Sequence, residues 1–319
     1  MKISGWGRYP DAVAEMIEPV SHQAVQNLFA ENPQRCQIIS RGSGRSYGDS
    51  ALAERVLSTR FFDNFISLNT DKNTVRCGSG VQLKEVLHLV IPKGYFPPVL
   101  PGTKYVTVGG AIAADIHGKN HHREGSFCQH VSALTLLLAN GELVSCSESE
   151  NKELFFATCG GMGLTGIILD ATFGLKKVPS ASINQRTQAA QNLNECMDIF
   201  DSAEESEYSV AWIDCLAKGK SFGRSILMLG EHAQKSEIDA KPTIYPKRKN
   251  KKITLPFDAP SLLLNNFTVS TFNKLYFNLN KNKQSSYEDW DTYFYPLDSI
   301  GEWNRMYGKN GFFQFQCLL

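Results

Sequence analysis

Two glycine-rich stretches, each following a β-type run, constrain this chain most. The first is "RGSGRSYGDS", after "RCQIIS", and the second is "GGAIAAD", after "VTV". Small residues let a ligand or another backbone segment come close to the chain. The second stretch continues into "IHGKNHH", which adds imidazoles and an ammonium group at the same place. The pattern predicts a ligand site built on bare backbone, with chemistry beside it.

Composition limits the classes that remain. The chain has 319 residues, of which 42% are apolar and 20% charged, which indicates a soluble globular protein with two domains. A net charge of +1 argues against a nucleic-acid binder. There is no apolar run of membrane-spanning length and no signal-peptide pattern at the N-terminus. The eight cysteines form no C-x-x-C pair, which favours reduced thiols and the cytoplasm.

The order of predicted elements is mixed. Helices are predicted in "HQAVQNLFAEN" after Ser21, in "QLKEVLHLVIPKG" and in "ENKELFFAT", and Asn140-Gly141 predicts a hairpin. The end of the chain, "FFQFQ", has a strand pattern. A turn-rich break falls at Val178-Pro179-Ser180. Because strict βαβ alternation is missing, we predict an α+β fold with two domains.

A third glycine cluster imitates a dinucleotide-binding motif. Gly161, Gly163 and Gly166 in "GGMGLTG" fit G-x-G-x-x-G. That mechanism needs a strand before the glycines and a helix after them, because the helix N-terminus holds the diphosphate. Here a helical pattern precedes and a β-rich run follows. The cluster therefore predicts a tight turn or a close backbone approach to a ligand.

The two remaining glycine stretches are ambiguous when taken singly. The loop 40–49 lacks the Gly-Lys-Ser/Thr of a Walker A loop, but its amides could form a nest for phosphate oxygens, with help from Arg41 or Arg45. The alternative is a surface turn. Gly109 and Gly110 could face a planar or diphosphate ligand, or close packing between backbone segments. Together, the two loops suggest one extended anionic ligand.

Four motifs make a resemblance specific: "RGSGRSYGD", "PGTKYVTVGGAIAADIHGKNHHREGSF", "ELFFATCGGMGLTGII" and "YPLDSIGEWNRMYG". They resemble the FAD-linked oxidases of the vanillyl-alcohol oxidase / p-cresol methylhydroxylase superfamily. Within it, they most resemble the decaprenylphosphoryl-β-D-ribose 2'-oxidases, the flavin half of a two-enzyme epimerase. The resemblance implies a two-subdomain FAD-binding domain of the p-cresol methylhydroxylase type over 1–178, with subdomains of about 1–70 and 71–178. A substrate (cap) domain would occupy 179–319.

The resemblance also implies a cofactor site, in which side chains at the glycine positions would collide with FAD. The loop 44–47 has no histidine, so non-covalent FAD is expected. The implied cofactor-binding residues are Ser40, Arg41, Gly42, Ser43, Gly44, Arg45, Ser46, Tyr47, Gly48, Asp49, Gly102, Thr107, Val108, Gly109, Gly110, Ala114, Asp115, Ile116, His117 and Ile167.

The expected reaction is oxidation of a secondary sugar hydroxyl, which converts a polyprenylphosphoryl ribose into its 2'-keto form. His117 is the candidate for the proton transfer, because histidine titrates near neutral pH. Lys119 is the candidate for binding the substrate phosphate or a developing oxyanion. The substrate candidates are Tyr47, Gly118, Lys119, Trp212, Gln314 and Gln316; the two glutamines alternate and so would share one face of a strand.

Several alternatives remain beside this interpretation. The spacing His117-x3-His121-His122 could hold a metal, but no acidic or thiolate ligand is nearby in the sequence, so no metal is expected.

The basic segment containing Lys241, Lys247–Lys249, Lys251 and Lys252 is a solvated loop or a contact with anionic lipids. The lipid contact would make a cytoplasmic protein peripheral to the membrane. An NAD(P)H-dependent reductase is the expected partner enzyme.

Two other functions are kept open. One is a sugar-lactone (aldonolactone) oxidase, and the other is an FAD-binding remnant without catalysis. The resembled oxidases continue for about a hundred residues past "QCLL", so an incomplete cap domain with an open sheet edge is expected.

Overall fold

The structure is a computed structural model that describes residues 1–31, 37–238 and 253–315. The helices are α1 (His22–Glu31), α2 (Leu83–Val90), α3 (Val108–Ala113), α4 (His121–Glu124), α5 (Lys152–Thr158), α6 (Leu193–Ser202), α7 (Asn266–Asn280) and α8 (Trp290–Phe294). Short 3-10 turns lie at Ile91–Lys93, Phe127–His130, Gly219–Ser221, Ser261–Leu263, Pro296–Ser299 and Trp303–Tyr307.

The strands of the described residues follow the same chain order. They are β1 (Lys2–Ser4), β2 (Asp11–Val13), β3 (Glu15–Ile17), β4 (Ile39–Arg41), β5 (Arg55–Ser58), β6 (Phe65–Asn69), β7 (Thr74–Gly78), β8 (Tyr95–Phe96), β9 (Val131–Leu137), β10 (Leu143–Ser147), β11 (Ile167–Gly174), β12 (Lys176–Lys177), β13 (Ser182–Ala190), β14 (Tyr208–Ile213), β15 (Ser225–His232), β16 (Ile253–Thr254), β17 (Ser285–Asp289) and β18 (Ile300–Gly301). Helices and strands are mixed along the chain, as the predicted α+β class requires.

The chain divides into two compact units. Unit 1 contains 1–117 and 126–177 together with the described residues from 309 on, and unit 2 contains 118–125 and 178–308. The break between 177 and 178 lies at the start of the turn residues Val178-Pro179-Ser180. The excursion 118–125 and the return at 309 depart from the contiguous division 1–178 and 179–319. Sequence punctuation could not reveal them, because they depend on tertiary contacts.

Unit 1 is built on two sheets. Strands β3, β5 and β4 form a parallel sheet, and β10, β9, β11, β7 and β6 form an antiparallel one in that order. The predicted hairpin is confirmed: β9 and β10 pair in register from Leu143 opposite Leu137. Val25 and Phe29 on α1 pack with Leu57, Leu137 and Leu169 to form a shared core.

Two predicted helices of unit 1 form for visible reasons. Helix α1 begins after Ser21, whose hydroxyl accepts a bond from the Ala24 amide at 3.1 Å. Helix α2 buries Leu83, Val86, Leu87 and Val90, which recur at the spacing of one helical face.

Unit 2 is an antiparallel sheet with helices. Its strand order is β14, β15, β13, β17, and β16 pairs with β18 separately. Strand β13 and helix α6 follow the break, and strands β14 and β15 come next in the chain. The predicted strand in "FFQFQ" is wrong for the described part: Phe312 makes an isolated bridge with Arg8, and 313–315 are not in a strand.

Candidate cofactor site

The first glycine loop leaves the sheet of unit 1 at the end of β4. Gly42 lies against Thr107, and a Cβ at position 42 would overlap the Thr107 side chain. Gly44 has a φ of +60°, a backbone conformation that glycine adopts without strain. Both glycines are therefore required by the path of the loop itself.

The second glycine stretch is a short helix, which the sequence pattern did not predict. Thr107 precedes α3, and its Oγ1 accepts a bond from the Gly110 amide at 3.2 Å. The Gly109 amide donates to the Ser79 carbonyl oxygen at 2.8 Å, and a Cβ on Gly109 would lie 2.8 Å from the Ser79 Cβ. Close packing between backbone segments, one of the two alternatives, explains Gly109.

The glycines therefore act differently from the expectation that side chains there would meet FAD. At Gly42 and Gly109, a side chain would first meet protein atoms. At Gly48 and Gly102, an added Cβ would have no protein atom within 4 Å. The first pair brings the two stretches to their places, and the second pair leaves open space.

A cavity of about 230 Å³ lies in unit 1 where these segments meet. Its wall combines hydroxyl groups, one guanidinium and small apolar side chains. The lining residues are Ser40, Gly42, Ser43, Gly44, Arg45, Ser46, Ser50, Ala51, Thr59, Ser79, Val106, Thr107, Gly109, Gly110, Ala113, Ala114, Ile116, Met162, Gly163 and Ile168. Hydroxyl and amide donors suit a diphosphate, and the apolar part suits a flat ring.

The polar atoms of the wall fit an anionic ligand. Ser79 is 1% exposed, and its Oγ has no hydrogen-bond partner in the structure. A buried hydroxyl without a partner is costly, so a ligand acceptor at this place would satisfy it. Gln82 donates from Nε2 to the Ser43 Oγ at 3.0 Å, which holds that hydroxyl at the cavity wall.

Arg45 supplies positive charge to the same wall. Its guanidinium carbon lies 4.1 Å from the centroid of the Trp6 ring and 5.0 Å from that of Tyr105. Contacts with two aromatic rings hold the guanidinium in place without neutralising it. Arg41 is different, because its Nη2 donates to the Ser4 carbonyl oxygen at 2.5 Å and burial lowers its pKa.

Lys119 places an ammonium group beside aromatic rings in unit 2. Its Nζ donates to the Phe294 carbonyl oxygen at 3.2 Å and lies 5.6 Å from the centroid of the Tyr293 ring. The Ser209 amide donates to the Lys119 carbonyl at 2.8 Å, which fixes the backbone. Burial lowers the pKa of Lys119 to about 8. Among the residues that the structure describes, this ammonium has no carboxylate partner.

The family model described as "FAD binding domain" matches residues 13–147. Decaprenylphosphoryl-β-D-ribose oxidase of Mycolicibacterium smegmatis is 35% identical over 328 aligned residues, covering all of this chain and 71% of that protein. The chain belongs to this family of FAD-linked oxidases. It is an FAD-dependent oxidoreductase, and its cofactor is FAD.

Two further relatives match smaller parts of the chain. L-Gulonolactone oxidase of Bos taurus is 30% identical over 214 residues, covering 65% of this chain and 47% of that protein. Cytokinin dehydrogenase 2 of Arabidopsis thaliana is 28% identical over 168 residues, covering 51% of this chain and 34% of that protein. The chain therefore spans less than half of each of these two relatives.

The structure brings eleven of the twenty expected cofactor residues to the cavity of this family member. Those that line it are Ser40, Gly42, Ser43, Gly44, Arg45, Ser46, Thr107, Gly109, Gly110, Ala114 and Ile116. The others lie outside the lining: Arg41, Tyr47, Gly48, Asp49, Gly102, Val108, Asp115, His117 and Ile167.

Several of these outliers have structural contacts of their own. The Tyr47 ring centroid lies 5.2 Å from that of Phe312. Asp115, with a φ of +39°, accepts bonds from the Ser126 Oγ at 2.8 Å and the Cys128 amide at 2.9 Å. Asp115 thus fixes the chain after α3. The exposed His117 forms an antiparallel bridge with Ser126.

The strand residue that lines the cavity is Ile168, one position after the predicted Ile167. Ile167 begins β11, is 4% exposed and packs in the core with Leu137 and Leu169. Its neighbour Ile168 lines the cavity. Because successive strand residues face opposite sides, a shift of one residue exchanges core and cavity.

The other substrate candidates are less concentrated. The Trp212 ring centroid lies 4.7 Å from that of Tyr276, so Trp212 packs against α7 in unit 2. The Gln314 amide donates to the Tyr47 carbonyl at 3.0 Å, and its side chain is exposed. Gln316 and the basic segment 241–252 lie outside the described residues. Gly118 is half-buried in unit 2.

Sequence reasoning missed nine cavity residues. They are Ser50, Ala51, Thr59, Ser79, Val106, Ala113, Met162, Gly163 and Ile168. Met162 and Gly163 belong to the false dinucleotide motif, where the possible approach to a ligand was the available signal. Ser79 and Thr59 had none, because only the tertiary fold places the ends of β5 and β7 beside the two glycine stretches.

The histidine cluster has other contacts. His122 places Nε2 2.8 Å from the Ser206 carbonyl oxygen. Within 1–31, 37–238 and 253–315, no three His, Cys, Asp or Glu side chains come together as metal ligands would. The same ranges contain no helix with the length and hydropathy needed to cross a bilayer.

Proposed function

We propose that this oxidoreductase oxidises a secondary hydroxyl of a phosphate-bearing sugar, converting polyprenylphosphoryl ribose into its 2'-keto form. One observation carries the proposal: similarity to decaprenylphosphoryl-β-D-ribose oxidase extends over the whole chain. Unit 1 acts as the FAD-binding domain with two subdomains, and unit 2 as the substrate (cap) domain. The matched segment 13–147 falls largely in unit 1, which supports this division.

FAD is held without a covalent bond in this proposal. The loop 40–49 contains no histidine that could attach the flavin. The hydroxyls of Ser43, Ser46 and Ser79 bind the diphosphate, while Arg45 balances its charge. Acid precipitation tests this point: the flavin should appear entirely in the supernatant, and yellow colour retained in the protein pellet would contradict it.

When bound, FAD would supply the hydride acceptor for oxidation of the alcohol carbon. The protein residues then have two tasks, which are to position that carbon and to manage the hydroxyl proton. Lys119 binds the substrate phosphate or stabilises the oxyanion that forms as the proton leaves, since it is buried among rings with no carboxylate partner among the described residues. His117 accepts the proton.

A sugar-lactone oxidase is the second candidate. The observation that favours it is the 30% identity to bovine L-gulonolactone oxidase. The two substrates differ in charge: a phosphoryl sugar needs a cation, and a lactone does not. The buried ammonium of Lys119 favours the phosphoryl sugar.

Anaerobic reduction of the flavin separates these candidates. The purified protein is mixed without oxygen with a short-chain prenylphosphoryl ribose or with L-gulonolactone, and the flavin absorbance is followed. Bleaching by the first compound alone is the expected result. Bleaching by the lactone alone would support the second candidate, and no bleaching by either would indicate a flavin-binding protein without this catalysis.

Two partners complete the proposal. A 2'-keto product calls for an NAD(P)H-dependent reductase as the second enzyme of an epimerisation. The lipid tail of the substrate calls for contact with anionic membrane, which the basic segment 241–252 and the exposed Ile253, Phe257 and Leu262 would provide. Liposome sedimentation should show weaker binding when the six basic residues are neutralised; unchanged binding would refute the membrane contact.

A further inference from the structure

Cys128 and Cys159 bring two thiols together beside the cavity of unit 1. Cys128 lies in the 3-10 turn Phe127–His130, and Cys159 directly follows α5. The Cys128 sulphur lies 3.4 Å from the Ile112 carbonyl oxygen, and the Gly160 amide donates to that same oxygen at 3.0 Å. Each of the two thiols also shifts the pKa of the other, as expected for neighbouring side chains.

Their exposure distinguishes this pair from the other cysteines in the described part of the chain. Cys77, Cys146 and Cys196 are buried, and burial raises the pKa of Cys77 to about 12, which makes its thiol inert. Cys215 is exposed. Cys128 and Cys159 are both half-buried, so a small oxidant can reach them while they remain in contact.

The electrostatics assign different tasks to the two thiols. The hydrogen bond from Cys128 lowers the pKa of Cys159, although burial and Asp115 oppose this effect. The same hydrogen bond, burial and the Asp115 carboxylate raise the pKa of Cys128. Cys159 is therefore the more readily ionised group, and the attacking thiolate is the reactive form of cysteine.

We propose that Cys128 and Cys159 are a redox-active dithiol that hydrogen peroxide converts into an intramolecular disulfide. The Cys159 thiolate attacks one peroxide oxygen, the O–O bond breaks, and a sulfenic acid and hydroxide form. The Cys128 sulphur then attacks the Cys159 sulphur and displaces hydroxide. The two thiol protons convert both hydroxides into water. Two thiols lose two electrons, and one peroxide gains them.

The position of the pair gives the bond a structural meaning. Cys159 begins the loop that contains Met162 and Gly163, both of which line the cavity. The Met162 amide donates to the Ala113 carbonyl at 2.8 Å, on α3. A Cys128–Cys159 bond would join this loop covalently to the 3-10 turn Phe127–His130.

Mass spectrometry of the full, FAD-loaded chain tests the proposal. The reduced protein is treated with hydrogen peroxide, alkylated under denaturing conditions and digested. The expected product is one linked peptide pair containing Cys128 and Cys159, lighter by roughly 2 Da than the two thiol peptides, because two hydrogens are lost. Dithiothreitol should reverse it. Cys215→Ser, the control, should give the same product.

Two substitutions separate proximity from electrostatic activation. Cys128→Ser should abolish the linked peptide but keep a hydroxyl donor, so native alkylation of Cys159 should keep its wild-type rate. Cys128→Ala should lose the donor and slow that alkylation about threefold or more. Thermal unfolding of both variants verifies that they are folded. The proposal fails if peroxide leaves both thiols free, or if Cys159 becomes linked to a different cysteine.

Discussion

The cavity wall of unit 1 and the surroundings of Lys119 in unit 2 differ in how many groups can contact a ligand. The wall presents many hydroxyls, amides and small side chains, and no single one dominates. Lys119 is one ammonium held by one carbonyl and aromatic rings. Cofactor binding should therefore tolerate the loss of one polar group but not added bulk, whereas catalysis should depend strongly on one side chain.

Added bulk at Gly109 gives the largest expected effect. In Gly109→Val, the new side chain meets Ser79 at about the 2.8 Å already reached by a Cβ, so α3 must move away from β7. We expect purified protein without bound FAD and a loss of about 1–3 kcal/mol in the free energy of unfolding.

The matched control is Gly102→Ala, since no protein atom lies within 4 Å of its added Cβ. The apoprotein should unfold at the wild-type urea concentration. If Gly109→Val also retained wild-type flavin content and stability, the close packing of α3 would not be needed for the cavity.

Removal of the Lys119 ammonium should follow in size. Lys119→Met should lower kcat about 10²- to 10³-fold with unchanged flavin content, because the charge acts on the substrate. The wild-type rate should fall as the pH rises, because the ammonium loses its charge. The midpoint should lie near pH 8, which is the pKa that burial gives this lysine. The variant should lose that pH dependence.

The exposed Lys274 on α7 provides the control. Lys274→Met should keep the wild-type rate and pH profile. A Lys119→Met protein with full activity would remove this residue from the proposed mechanism.

Burial of Lys119 also predicts how the free energy of unfolding changes with pH. Burial lowers its pKa from 10.5 to about 8, so the unfolded chain binds a proton more tightly than the folded one. The charged form opposes folding below pH 8, and this cost is relieved as the pH rises from 8 to 10.5. The free energy of unfolding of wild type relative to Lys119→Met should therefore increase over that interval, as urea denaturation can measure. A flat difference would contradict a buried ammonium.

Ser79→Ala should have the smallest effect. The Oγ has no partner in the protein, so its removal should not lower the stability of the apoprotein. A lost hydrogen bond to FAD should cost about 0.5–1.5 kcal/mol, or roughly 2- to 12-fold in the dissociation constant. Fluorescence titration of apoprotein with FAD measures it; equal affinities would show that Ser79 does not contact the cofactor.

Local patterns predicted the elements better than the site. The spacing of Leu83, Val86 and Val90 identified α2, and Asn140-Gly141 identified the hairpin, because both depend on neighbours in sequence. Helix α3 was missed, since glycine and alanine give no amphipathic pattern. It forms because Thr107 caps it and Ser79 packs against Gly109.

The site was predictable where the chain itself forms a loop, as at Gly42 to Ser46. It was not predictable where tertiary packing decides. Ser79 and Ile168 reach the cavity only because β7 and β11 pair in one register, and a shift of one residue exchanged Ile167 for Ile168. Sequence periodicity identifies a strand, but it does not identify which face borders a ligand.

The central claim is that the cavity formed by the two glycine stretches holds the diphosphate of FAD. A crystal structure of the FAD complex tests it most directly. The account predicts diphosphate oxygens within hydrogen-bonding distance of the Ser43, Ser46 and Ser79 hydroxyls. FAD bound elsewhere, with these groups facing only protein atoms, would contradict it.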